Sequence, residues 1–317
     1  MKRLLGLLRY GQSLRHLPVV YSAFAANAPR LTLSGLRGGP VDVSCDHCPV
    51  SLRPLILGLR LSETIVQPAS PLTLEIAEAN AKGITLARIE LEPQGTVPLM
   101  KDSLHLFRTR RSWNGTAPPI TRWVRYVLAW QHARDAVRRG DRLLMSAADL
   151  RALNAYYISA RPVYLVGVSH EKRVNLFPMD LVAPLGSGDF VLALRATSPA
   201  IDVIEASRRI AMSGAPAAHL RAIYELGAQH RRTTIDLDAL GFPVTRSRLF
   251  GLPVLAESGL VRELSVQELH RIGSHVLFVC RVEDEHGHTE AQLAHVSAMY
   301  AERLTRMNQP YQALTDT

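Results

Sequence analysis

The sequence predicts a mainly β protein with helices (α+β), built in two parts, and three observations carry that expectation. Two apolar strand-like runs, PVYLVGV (162–168) and FVLALRA (190–196), bracket the segment NLFPMD (175–180), and a helix start follows at Thr197-Ser198-Pro199. Residues 31–91 alternate short apolar runs with turn residues, the pattern of strands and hairpins. Between these regions, from Pro119 to about Tyr156, apolar residues recur at helical spacing. A length of 317 residues suits two domains, and 47% hydrophobic with 21% charged residues is an ordinary globular composition.

A net charge of +9 attracts anions, whether phosphorylated small molecules, nucleic acid or acidic lipid, and does not choose among them. Three cysteines are too few and odd in number for a disulfide framework, which fits a reducing cytoplasm. No apolar run reaches the length of a membrane-spanning helix. The N-terminus reads as a short helix, Leu4 to Leu17; Arg9, Arg15 and His16 interrupt the apolar core that an export signal needs, although Ala25-Ala26-Asn27-Ala28 resembles a cleavage site.

Residues 1–115 read as one β-containing module. Leu31-Thr32-Leu33 leads to a turn at Gly38-Gly39-Pro40, and the runs Pro71–Ile76 and Ile84–Leu91 flank a hairpin turn at Asn80–Gly83. Cys45-Asp46-His47-Cys48 has the spacing of half a zinc site or a redox pair. No second pair follows, and the strand-like Pro54–Leu61 replaces the helix that a redox motif would open, so free thiols in a loop are expected. Arg108–Trp113 reads as a solvated basic loop, and Gly115–Pro119 as a linker.

Ile120, Trp123, Val124, Val127 and Leu128 form one stripe of a helix from Pro119 to Arg139, closed by Gly140. Ser146 caps a second helix with Asp149 in its first turn, and that helix delivers the chain to a strand at Pro162. Further on, Ala217–Gly227 reads as a helix, His230-Arg231-Arg232 as a basic turn, and Gly259–Glu268 with His275–Val282 as paired strands. Glu283–His288 reads as a polar hairpin tip, and Thr289–Arg306 as a closing helix.

Two local patterns point to a family. Asn175, Pro178 and Asp180 stand at the places of an N-x-x-P-x-[ST] segment, and Gly273-Ser274-His275-Val276 matches G-[DS]-H leading into a strand. The C-terminal half thereby resembles the flavin reductase-like family of FMN-binding split β-barrels. Two departures stand out: Asp180 replaces a hydroxyl, and Thr197-Ser198-Pro199 stands where the family often has Lys-Asp-Thr. The resemblance implies that residues 116–317 form a helical lead-in and a six-stranded split barrel, with residues 1–115 a module of unassigned role. It further implies FMN as cofactor, with FAD as the alternative, and NAD(P)H as co-substrate. The expected assembly is a cytoplasmic homodimer with flavin near the subunit interface, passing electrons to a partner oxygenase or other acceptor. Membrane and nucleic acid are not expected partners.

The residues themselves carry a matching argument. Pro178 cannot donate to a ladder, so 175–180 is expected to leave its sheet and turn main-chain polar atoms toward the flavin ring edge. Asn175, Leu176, Phe177, Pro178, Met179 and Asp180 are the expected ring contacts. Arg195, Thr197 and Ser198, at a helix N-terminus, are expected to grip the phosphate, although Asp202 in the first turn opposes an anion there. Ser213 falls near a position where relatives have Asn. His275 is the expected catalytic residue, placed by the resemblance beside flavin and nicotinamide; no metal site is expected. The chain contains no G-x-x-x-x-G-K-[ST], G-x-S-x-G or H-E-x-x-H motif. Two rival functions remain open: a flavin-binding protein without turnover that serves a partner, and a nucleic-acid binder using the Arg-rich first half.

Overall fold

The computed structural model describes residues 19–22, 28–62, 68–79, 83–138, 145–186, 188–227, 232–288, 292–307 and 312–313. The expected helix Leu4–Leu17, most of the Ala25–Ala28 patch, the turn residues 80–82 and the pair His230-Arg231 lie outside the described residues. In chain order the first half holds β1 (Val19–Ser22), β2 (Arg30–Leu36), β3 (Val41–Asp42), β4 (His47–Leu52), β5 (Leu55–Leu61), β6 (Pro68–Ala77), β7 (Thr85–Pro98) and β8 (Ser103–Asn114). Helices α1 (Pro119–Arg138) and α2 (Ala147–Tyr156) follow. The second half holds β9 (Arg161–Pro162), β10 (Tyr164–His170), β11 (Arg173–Met179), β12 (Val182–Leu185), β13 (Asp189–Arg195), α3 (Ala200–Ser207), β14 (Arg209–Gly214) and α4 (Leu220–Gly227). It closes with β15 (Val244–Arg246), β16 (Pro253–Leu255), β17 (Leu260–Ile272), β18 (His275–Gly287), β19 (Gln292–His295), α5 (Ala298–Arg306) and β20 (Gln312–Ala313).

Among the described residues there are two seven-stranded antiparallel sheets. The first has the order β3-β2-β6-β7-β8-β5-β4, and the second β11-β10-β14-β17-β18-β13-β12. The second has one strand more than the six expected for the barrel. A four-stranded ribbon, β20-β1-β19-β9, and the hairpin β15-β16 complete the structure.

The second sheet is strongly curled. Its two edge strands, β11 and β12, are consecutive in the chain and joined by Asp180 and Leu181 alone. The rings of Tyr164 on β10 and Phe190 on β13 meet edge-to-face with centroids 6.5 Å apart. In a flat sheet, strands four steps apart would be separated by about 19 Å. Inward-facing residues of all seven strands share one core, among them Val166, Phe177, Val182, Leu192, Met212, Leu264 and Phe278. Helix α3 adds Ala200, Ile201, Val203 and Ile204 to it. The result is a barrel split between β11 and β12.

The alternate residues of those strands are also buried. Ala183, Leu185, Val191, Ala193, Leu277 and Val279 pack against Cys48, Val50, Ile56, Leu104 and Leu106 of the first sheet. Elsewhere Leu165 and Leu176 pack under α4, with Ile223, Leu226 and Phe242. A sheet buried on both faces explains why PVYLVGV and FVLALRA are continuous apolar runs without alternation.

The first sheet encloses Leu33, Leu57, Leu74, Ile89 and Phe107, and its core is completed by α2 and α5 through Tyr156, Tyr157, Tyr300 and Leu304. Ser146 caps α2 as expected, its Oγ accepting the Asp149 N–H at 3.0 Å. Asp149 Oδ1 in turn accepts the Leu55 N–H at 3.0 Å. The three cysteines are free thiols; Cys45 is exposed, while Cys48 lies in β4, not in a loop.

Three local expectations are corrected. Arg108–Trp113 is part of β8: Thr109 is buried while Arg108 and Arg110 point outward, a period-2 pattern that the run of charges obscured. Glu283–Gly287 continues β18, its acids matched by β17 through Arg262–Glu285 at 2.5 Å; the hairpin tip is Gly273-Ser274. Thr289–Arg306 is not one helix, since β19 intervenes before α5. Helix α1 forms over the expected residues, and its stripe is only partly covered, with Ile120 79% and Trp123 67% exposed. No described helix is long and apolar enough to cross a membrane.

Gly273 packs closely against the first half. Its φ is +56°, and a Cβ there would stand 2.4 Å from Ser51 Oγ and 2.8 Å from Arg53 O. Gly273→Ala is expected to destabilise the chain by about 2 kcal/mol or more, from the left-handed backbone and the clash together, read as a lower urea midpoint.

Candidate functional site

Asn175–Met179 is a regular strand, which corrects the expectation that the chain leaves its sheet there. It pairs antiparallel with β10 in the register Val168↔Asn175, Val166↔Phe177, Leu165↔Pro178. The proline is tolerated because β11 is an edge strand and Pro178 occupies a position whose main chain faces away from the ladder. The Ile235 N–H bonds Val174 O at 3.0 Å on that outer side, so Val174, Leu176 and Pro178 turn their main-chain groups outward in alternation. Asn175 Nδ2 donates to Arg232 O at 2.8 Å, which ties the strand to the segment after α4.

The side chains of this segment face other ways than expected. Phe177 and Met179 lie in the barrel core, and Leu176 lies under α4. Asp180 occupies the split, where Oδ2 accepts the Tyr157 hydroxyl at 2.8 Å and His295 Nδ1–H at 2.6 Å. His295 Nε2 is in turn bonded to the Tyr224 hydroxyl, and Arg161 bonds Val182 O beside them. Burial by itself would raise the Asp180 carboxyl, but His295, the Tyr157 hydroxyl and Arg161 together hold it below its ordinary value. Burial, with the Asp180 carboxylate beside it, pushes the Tyr157 hydroxyl up. Residues 157, 180, 224 and 295 thus form a network that no local motif announces. Ser213 is also accounted for structurally, fully buried on β14 with Oγ accepting the Leu255 N–H at 3.2 Å.

A second group does come together. Arg195, the last residue of β13, is the cross-strand partner of His275, the first of β18. Ala196 N–H bonds Ser274 O at 3.0 Å, and the Ser198 N–H bonds Arg195 O at 2.8 Å, so the chain turns directly from this pair into α3. Thr197 is exposed, and Ser198 Oγ accepts the Ala200 N–H at 3.4 Å. The helix begins at Ala200, with Pro199 at the cap position. A guanidinium, two hydroxyls and the start of a helix therefore share one corner, a donor set suited to a phosphate.

The first half closes this corner from the other side. Arg53 N–H donates to Ser274 Oγ at 3.1 Å, and Ser274 Oγ lies 2.9 Å from His275 Nδ1. Leu52 N–H approaches the same nitrogen at 3.5 Å. A nitrogen that accepts from this side leaves the hydrogen on Nε2. His275 is 2% exposed, and burial with the Arg195 charge pushes its pKa down to about 4, against a smaller opposite pull from Asp180. It is neutral through the physiological range. A groove lined by Leu237, Leu240, Phe242 and Arg246 lies elsewhere and contains none of these residues. No cluster of metal-ligating side chains exists among the described residues.

Because the folded chain resists protonating His275, the unfolded chain takes up that proton first as pH falls. Stability is expected to decline from about pH 6.5 toward about pH 4, and His275→Gln is expected to flatten that limb in denaturation series run across this range. The Asp180 contribution persists to lower pH and fades only below its ordinary value of 3.8. Removing that charge from its buried partners by Asp180→Asn is expected to cost about 3 kcal/mol at neutral pH, measured by urea unfolding.

Residues 156–304 match the family model described as flavin reductase like domain. No curated protein matches the chain. Among solved structures, it is similar to an FMN-binding protein from Thermus thermophilus with bound 1-cyclohex-2-enone, at 25% identity over 42% of this chain and 73% of that one, TM-score 0.38. It is also similar to BorF, the flavin reductase component of a bacterial two-component tryptophan halogenase, at 14% identity over 53% and 99%, TM-score 0.42. The styrene monooxygenase flavin reductase SMOB from Pseudomonas putida S12 shows 15% identity over 46% and 93%, TM-score 0.38. These likenesses are too loose to transfer chemistry to this chain. The family match stands without them, and it coincides with the split barrel and its Arg195–His275 corner: residues 156–304 form a flavin reductase like domain.

Proposed function

We propose that the chain binds FMN and uses NAD(P)H to reduce it, handing the electrons to a separate acceptor such as a partner oxygenase. The observation that carries this reading is the corner where Arg195, Thr197, Ser198 and the start of α3 meet His275, inside the segment that matches the family. When bound, a flavin supplies the hydride chemistry, and the protein supplies binding, orientation and electrostatics. Arg195 and the hydroxyls of Thr197 and Ser198 would hold the phosphate. His275, kept neutral and carrying hydrogen on Nε2, would offer a donor without placing a second positive charge beside Arg195. The outward main-chain groups of Leu176 and Pro178 would offer a donor and acceptors at the strand edge. Phe177 and Met179 are proposed only as the apolar backing of that edge, and Asp180 and Ser213 as residues that position strands. Free thiols fit a reducing compartment, in keeping with a cytoplasmic location.

The purified chain is expected to be yellow, or to oxidise NADH or NADPH with saturation by added FMN; a colourless protein doing neither rejects the reading. Arg195→Ala is expected to weaken FMN about tenfold or more while leaving riboflavin little changed, because a charge-assisted contact to phosphate contributes about 1.5–3 kcal/mol. Equal losses for the two ligands, by fluorescence titration, would move the phosphate elsewhere.

A further inference from the structure

We propose that the N-terminal half is a second split barrel, docked on the first as a built-in partner subunit, and that the pair carries a single flavin site. The single-site part rests on the flavin reading above. The orders β3-β2-β6-β7-β8-β5-β4 and β11-β10-β14-β17-β18-β13-β12 are the same once β2–β8 are matched in chain order to β10–β14, β17 and β18. Every pairing is antiparallel in both halves. In each half the chain passes directly from one sheet edge to the other, through residues 43–46 in the first and 180–181 in the second. The long hairpin of each half, β7–β8 and β17–β18, carries two register shifts.

The docking is reciprocal. The face built on β4, β5 and β8 meets the face built on β12, β13 and β18, which are the matched strands. Two-fold-related copies bury the same patch on both sides, and each contact occurs twice with its roles exchanged. The β4–β5 turn touches the β17–β18 turn through Arg53 N–H and Ser274 Oγ at 3.1 Å. The mirrored contact is also present: the β12–β13 turn meets the β7–β8 turn, with Met100 N–H to Asp189 Oδ1 at 3.4 Å and a Cβ at Gly188 placed 3.2 Å from Met100 Cε. The second subunit expected from the resemblance is thus supplied within the chain.

The two copies differ where the chemistry lies. At the position where Arg195 pairs with His275, the first copy pairs Leu61 with Ser103. Between β13 and β14 lie residues 196–208, which contain α3, whereas the matched strands β5 and β6 are separated by residues 62–67 alone. The first copy keeps the strand order and the docking face, but Leu61 and Ser103 stand where the second has Arg195 and His275.

Sedimentation velocity and an FMN titration on the full-length chain test this together. A monomer of 35.0 kDa at every concentration, saturating at one FMN per chain, is the expected result. Two FMN per chain would overturn the single site. A dimer that dissociates in an Ile120→Glu/Trp123→Glu variant is held by the exposed face of α1 and leaves the proposal standing; one that survives those changes overturns the built-in partner. A monomer that binds no FMN upholds the built-in partner while removing both the single site and the flavin reading.

Discussion

The structure depends on one apolar contact, the burial of Ala183, Leu185, Val191, Ala193, Leu277 and Val279 against Cys48, Val50, Ile56, Leu104 and Leu106. A curled sheet shields only its inner face, and the outer face of β12, β13 and β18 would otherwise be a large exposed apolar patch. Covering it with another sheet removes the patch and fixes the relative position of the two halves. The closure has a second component, since α2 and α5 fill the first sheet from sequence positions that flank the second. Arg303–Glu78 at 2.6 Å adds an ion pair along the same return. The two halves are therefore interlocked, not strung together.

This packing sets the electrostatics of the corner. Ser51, Leu52 and Arg53 reach the Gly273-Ser274-His275 turn only because the sheets are held face to face. Closing that turn removes water from His275, and an imidazole without water beside a guanidinium stays neutral. At the split, the solution is the opposite. Asp180 remains charged in a buried place because Tyr157 and His295 replace the hydrogen bonds that water would have made. A neutral histidine and a charged aspartate in one barrel follow from which partners each finds.

The strands, most helices and the Ser146 cap were legible because each is written in local pattern: apolar runs, cap residues and a glycine turn before a strand; the pairing of Arg195 with His275 across β13 and β18 was not. Pro178 marked β11 as something other than a central strand, and the edge position satisfies that constraint without the chain leaving the sheet. The basic run Arg108–Arg111 misled because charge said loop while Thr109, alternating inward, said strand. Tyr157 and His295 gave no signal, since partners separated by 115 residues from Asp180 to His295 share no local spacing.

By itself, the sequence determined the α+β class and the flavin reductase-like resemblance of the C-terminal half, because those rest on propensities and short motifs acting within a few residues. Only the tertiary structure decided that Phe177 and Met179 turn into the core, that Asp180 is locked in the split, and that the two halves share one strand order. Strand order is a property of pairings between distant segments, and it survives changes that leave no repeat in the residues. The same folded face that buries His275 comes from both halves, so neither half of the sequence could reveal it alone.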